Sequence, residues 1–225
     1  MSPMSHCGGR ERAASSRARR RAALLGASLL ILAACGGPEP PPGPGTVMGY
    51  APDLRGQRVM ILPVQNNLGV RGDPDAELTF ALHERDVSVE WVFPEELEEV
   101  LARSPGYGAS MHGLPVGNFL AAEVLRIGDP LYGEIRRLSA LVDAQIALLP
   151  VQVALATDPP PDTTAGPEVP LQPTVRVWTA LIRVRTGQVI WFSVLDGGVY
   201  PSGDPRGLAS AMEEMTRALL WYSDT

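Results

Sequence analysis

Apolar and polar positions along the chain fall into two rhythms, continuous runs and helical spacing. Arg58-Val59-Met60-Ile61-Leu62-Pro63-Val64 is a short apolar run between Gly56 and Asn66-Asn67, which suits a first strand covered on both faces. Asp73-Pro74 then opens a helix through Arg85, with a capping acid, proline at the first helical position, and Leu78, Ala81 and Leu82 on one side. Glu77 to Val92 also alternates well enough for a hairpin, and that alternative stays open on pattern alone. Val87 to Val92 reads as a second strand, and Pro94 starts a helix through Leu97, Val100 and Leu101. Ser104 to Asn118 holds four glycines and two prolines in 15 residues and is loop. Phe119 to Leu125 is a short helix that stops near Gly128-Asp129-Pro130.

From Pro130 a longer helix carries Leu131, Ile135, Leu138 and Val142 at spacings of four, three and four, with Arg136 and Arg137 outward. Ala144 to Ala156 is a third buried strand. Thr174 to Asp196 is the best hairpin in the chain, two long strands meeting at Arg185-Thr186-Gly187-Gln188. A last helix from Pro205 to about Tyr222 sets Leu208, Met212, Met215 and Leu219 on one face. Together these predict one α/β (α+β) domain over 54–225. Its mixed sheet has about five strands with a long C-terminal hairpin, packed by helices and closed by the last of them.

Upstream the pattern changes. Six arginines (Arg10, Arg12, Arg17, Arg19, Arg20, Arg21) precede an apolar run from Ala22 to Ala34 of 13 residues, a charged region and short core of signal-peptide type. As a helix that run covers about 20 Å, short of the roughly 20 residues a bilayer span needs. Leu32-Ala33-Ala34-Cys35 resembles the lipobox of bacterial lipoproteins. The resemblance implies a signal peptide over 1–34, recognition through Leu32, Ala33 and Ala34, and acylation of Cys35, which becomes the new amino terminus, with palmitate-type chains. An ordinary secretory peptide with an incidental cysteine is the bland alternative. Residues 35–53 follow as a tether, Pro- and Gly-rich from Gly36 to Gly45, whose first ten residues after the cysteine reach about 30 Å in extended polyproline geometry.

Cleavage before Cys35 leaves 191 of the 225 residues. The leader takes six of the 19 arginines and one of the 25 acids, so 13 arginines face 24 acids, a balance of −11. Such a balance argues against nucleic acid as partner and against adhesion to anionic lipid. Cys7 leaves with the leader and Cys35 is spent on the anchor, so an intrachain disulfide and a thiolate metal cluster are both excluded from the processed chain. The chain has no lysine, which removes Schiff-base chemistry and the P-loop.

Leu62-Pro63-Val64-Gln65-Asn66, the strand after Val142-Asp143-Ala144, and Val184-Arg185-Thr186-Gly187-Gln188-Val189-Ile190-Trp191 resemble one α/β fold. It is shared by the curli-export lipoprotein, the amino-terminal domain of the TolB periplasmic protein and the lipoprotein activators of peptidoglycan synthases. The resemblance covers about Gln57 to Trp221. It implies an accessory role on the inner face of an outer membrane, facing the periplasm, performed by binding. Gly36 after the cysteine fits outer-membrane sorting of such lipoproteins. Thr157 to Pro173 holds six prolines and three acids and is no membrane-crossing strand, so a pore would need its strands from Glu77 to Phe93.

Residues that could carry chemistry have stronger structural readings. His83 and His112 lack a carboxylate at zinc-ligand spacing. Glu95-Glu96 and Glu98-Glu99 suit glycosidase work in principle, but fit the solvated face of a helix better. Asp73, Asp75 and Glu77 lack the glycine and bidentate acid of a calcium loop, and Arg71-Gly72-Asp73 is a turn before a helix. Trp91, Trp178, Trp191 and Trp221 read as core, and any that is exposed becomes the leading contact for a partner. The loops 104–118 and 157–173 are the surfaces to examine first.

The chain therefore reads as a lipid-anchored, non-enzymatic envelope protein that needs no cofactor or metal and binds another envelope protein in assembly, transport or cell-wall synthesis. Two other classes stay open: a homo-oligomeric subunit of an outer-membrane export channel, and a carboxylate-dependent envelope hydrolase.

Overall fold

Proline placement and strand parity explain the sheet. The computed structural model describes residues 50–85, 88–104, 106, 108–157 and 173–223. Cys35, its preceding tripeptide, the Gly36–Gly45 tether and most of the Pro-rich loop lie outside them. The elements are β1 (Arg58–Ile61), β2 (Asn66–Leu68), α1 (Pro74–His83), β3 (Glu90–Val92), α2 (Pro94–Ala102), α3 (Asn118–Ala121), α4 (Leu131–Val142), β4 (Ile146–Ala156), β5 (Thr174–Arg183), β6 (Gln188–Asp196), α5 (Pro205–Leu219) and a final 3-10 turn, Trp221–Ser223. The α/β domain with its long hairpin and closing helix is as expected.

Among the described residues the sheet has six strands rather than about five, in the order β3-β1-β4-β5-β6, with β2 also on β4. Pairings of β1 with β3, β1 with β4 and β2 with β4 are parallel; β4–β5 and β5–β6 are antiparallel. Strands β1 and β2 are successive pieces of one line along β4. Pro63 has no N–H to donate and interrupts the line, while Leu62 N donates to Leu148 O (2.9 Å) and Gln65 N to Pro150 O (3.1 Å) on either side of it. Pro150 sits in the middle of a central strand, where proline is rare. A bulge between Pro150 and Gln152 accommodates it. The bulge also reverses side-chain parity: Ala147, Leu149 and Val151 pack on one face, Ile146, Leu148 and Val153 on the other.

Both faces are covered. Met60, Leu62, Val92, Ala180, Ile182 and Phe192 meet Leu97 of α2 and Ile135 and Leu138 of α4; Val59, Ile61, Val177, Leu181 and Trp191 meet Leu78 and Leu82 of α1 and Leu208, Met212, Met215 and Leu219 of α5. The buried residues of α4 include the four predicted from spacing. At Gly197, which follows β6, a Cβ would lie 2.7 Å from Ala211 N and 2.9 Å from Ala211 Cα, so glycine lets α5 approach this closely. The segment from Glu77 that also fitted a hairpin is helix α1: the Asp73 side chain accepts from Asp75 N and Ala76 N (3.1 and 3.2 Å), with Pro74 following it.

Thr179 and Ser193 face one another across β5 and β6, both buried, and neither hydroxyl has a hydrogen-bond partner among the described residues. A buried orphan hydroxyl is destabilising. Thr179→Val, which keeps the branched shape, is expected to stabilise the domain by about 1 kcal/mol. The urea midpoint should rise; a fall would mean that the hydroxyl has an acceptor.

Candidate functional site

Residues after the carboxyl ends of β1 and β3 build one polar edge, the position where open α/β sheets commonly bind ligands. Its keystone is Gln65. Its amide nitrogen donates to Pro63 O (2.7 Å) and Met111 O (3.0 Å), and its amide oxygen accepts from Leu114 N (2.9 Å). These bonds fasten the Gly-rich loop, whose Met111, Leu114 and Val116 are buried in the core beneath. The loop is thus an anchored surface, with exposed His112 carried on it.

Asp75, in the first turn of α1, is half-buried and accepts from Val64 N at 2.7 Å. Burial raises its carboxyl above the ordinary value of 3.8; the Val64 N–H opposes the rise, neighbouring Asp73 adds to it, His112 opposes it and Glu95 adds to it. His112 Nε2 lies 3.4 Å from Glu98 Oε1. The structure therefore gathers Asp75, Glu95, Glu98 and His112 along one acidic rim. Glu95, Glu96, Glu98 and Glu99 are all exposed on α2, as a solvated face. His83 is elsewhere, with Nδ1 2.8 Å from Thr79 O and its ring stacked on Phe93 at 4.5 Å. Among the described residues no group of three or more His, Cys, Asp or Glu could hold a metal ion.

A pair of substitutions separates the two roles of Asp75. Asn keeps the oxygen that accepts from Val64 N and removes the disfavoured charge, whereas Ala leaves a partly buried N–H unpaired, a cost of about 1–3 kcal/mol. A carboxyl whose folded pKa is raised contributes stability fully below its unfolded value, and loses that contribution as pH rises through the folded value. Asp75→Asn is therefore expected to melt above wild type at pH 7, the advantage vanishing below pH 3.8, while Asp75→Ala melts below it. Equal melting of wild type and Asp75→Asn at pH 7 would refute the raised carboxyl.

The second distinctive surface lies where the chain enters the domain. Tyr50 is 83% exposed and Trp221 42% exposed. Their ring centroids are 5.3 Å apart, and Trp221 Nε1 donates to Ala51 O at 2.7 Å. Leu54 N donates to the Tyr222 hydroxyl at 3.1 Å, so residues 50–54 are fastened to the final turn. Burial raises the Tyr222 phenol, opposed chiefly by that N–H. Of the four tryptophans only Trp191 is fully buried; Trp91 and Trp178 are half-buried, so the expectation of a core role holds completely for one.

No protein-family model matches the chain, and no curated protein matches it. Among solved structures, it is similar to the LpoB C-terminal domain from Salmonella enterica (TM-score 0.38, 14% identity, 66% of this chain and 85% of that one). A PelC dodecamer from Paraburkholderia phytofirmans gives TM-score 0.37 and 17% identity over 80% of this chain and 96% of that one. The LpoB C-terminal domain from Escherichia coli gives 0.38 and 15% over 67% and 89%. The functional reading below rests on this chain's own residues and not on these likenesses.

Proposed function

We propose that the protein is an outer-membrane lipoprotein, anchored through Cys35 and facing the periplasm, whose α/β domain acts by binding another envelope protein. The observation that carries this reading is Leu32-Ala33-Ala34-Cys35 placed at the end of a 13-residue apolar run behind six arginines. A proline-rich tether then leads to a domain that begins at an exposed aromatic pair. Tryptophan is favoured at interface hot spots because it buries a large rigid surface and keeps a donor. Trp221, held by Ala51 and in tilted ring contact with Tyr50, is the leading contact for the partner. The Gln65-fastened loop offers a second preorganised surface at the sheet's acidic edge.

Intact-mass analysis of the protein extracted from membranes tests the anchor: the mature terminus should be Cys35 carrying acyl chains. A terminus at another residue, without acyl groups, would remove the reading. For the binding role, a photocrosslinking residue at position 221 should give a discrete adduct with an envelope protein in native membranes, and one at Glu123, exposed after α3, should not. Equal adducts from both positions would count against Trp221.

A further inference from the structure

At the opposite end of the sheet from the acidic rim, around the starts of β1 and β4, lies an open cleft of about 500 Å³. Three arginines from separate elements reach it: Arg136 from α4, Arg183 from the end of β5 and Arg185 from the hairpin turn. Ala144, Ile146 and Val184 form its buried apolar lining, and Gln57 and Gln145 its neutral polar edge. The frame is fixed by main-chain bonds, Val184 N to Gln145 O (3.0 Å) and Gln145 N to Arg58 O (3.2 Å). Arg185 is held from behind, since the Tyr132 hydroxyl donates to its carbonyl at 2.9 Å.

The charge bookkeeping of the domain makes this cluster unusual. Arg55, Arg58, Arg103, Arg137, Arg176, Arg206 and Arg217 each pair with a carboxylate, as expected where acids outnumber arginines. Among the described residues Arg71, Arg126, Arg136, Arg183 and Arg185 do not, and three of these five line the one cleft. The Arg183 guanidinium donates to the neutral Gln188 amide oxygen at 3.4 Å. Among the described residues the one acid on the cleft wall, Asp53, is spoken for: Arg55 Nε lies 2.9 and 3.0 Å from its two oxygens, and that side-chain bond foremost holds its carboxyl below the usual range.

Guanidinium forks match carboxylate and phosphate oxygens two by two, and a cleft of this volume is in the range of small-ligand sites. We propose that the cleft formed by Arg136, Arg183 and Arg185 binds a small polyanion bearing at least two carboxylate or phosphate groups. This inference is independent of the lipid anchor and of the partner contact at Trp221.

The test is calorimetric titration of the protein as isolated from cells, in non-ionic detergent, with citrate and, separately, with pyrophosphate. One saturable site per chain is expected for at least one of them, which also sets the preference between carboxylate and phosphate. Each lost charged hydrogen-bond pair weakens binding by about tenfold or more, so Arg183→Gln with Arg185→Gln should weaken it by about a hundredfold or more. Arg71→Gln with Arg126→Gln should leave it unchanged. Absence of saturable binding for both anions, or equal weakening in the two double variants, would overturn the proposal. Unchanged thermal unfolding of the Arg183/Arg185 variant shows that lost binding is not lost fold.

Discussion

Trp191→Ala is expected to destabilise the domain by about 3–5 kcal/mol, the range for truncating a fully buried aromatic. Trp191 is 1% exposed, on β6 beside its cross-strand neighbour Leu181, in the face that α1 and α5 cover. Val177 of β5 and Met212 and Met215 of α5 share its core cluster and belong to two different elements held by their own contacts, so collapse around the void is limited and the cavity cost is retained. Against a typical stability of about 5–15 kcal/mol for a domain, such a loss removes much of the margin. Trp221→Ala provides the contrast. It removes one hydrogen bond to Ala51 and a tilted ring contact at a 42% exposed site, worth about 1 kcal/mol. Urea midpoints of the two variants should therefore differ severalfold in their shift from wild type. Similar shifts would mean that the β6 face is not the tightly packed one.

This contrast marks what pattern can and cannot carry. Periodicity in Leu131, Ile135, Leu138 and Val142 identified the buried stripe of α4, because helical spacing alone decides which side chains share a face. The strand β2 was not legible. Asn66-Asn67-Leu68 has no apolar run, and only main-chain pairing to Gln152, Val153 and Ala154 makes it a strand. Nor was the parity switch at Pro150, since an apolar stretch buried on both faces looks the same with or without a bulge.

The two polar edges show the same division. Gln65 was visible only as a polar residue after an apolar run; its partners Met111 and Leu114 lie 46 and 49 residues further on. Helical spacing places Arg136 outward, but nothing local announces that α4 brings it to the hairpin turn with Arg183 and Arg185. Short-range chemistry such as the Asp73-Pro74 cap is written in adjacent residues, whereas convergence is a property of topology. The outcome is a domain with acids at one end of its parallel strands and uncompensated arginines at the other.

Cys35→Ala should separate the protein from membranes altogether, the second large effect. One acyl chain of ordinary length gives marginal, reversible binding, but each buried methylene adds about 0.8 kcal/mol, so two or more chains make retention persistent. In the proposed lipoprotein no second attachment is expected to replace them. With 13 arginines against 24 acids, electrostatics repel the domain from anionic lipid. Among the described residues no helix is long and apolar enough to cross a bilayer. Removing the sulfur therefore removes the attachment, and the core at Trp191 and the Gln65-fastened loop, built from residues 50 onward, should fold as before. The expected result is no labelled palmitate in the variant, loss from carbonate-washed membranes, and urea unfolding of the domain unchanged. Label still entering Cys35→Ala would place the anchor on another residue. Retention without label would show that the domain itself holds the membrane, and the aromatic pair Tyr50 and Trp221 would be the first place to look for how.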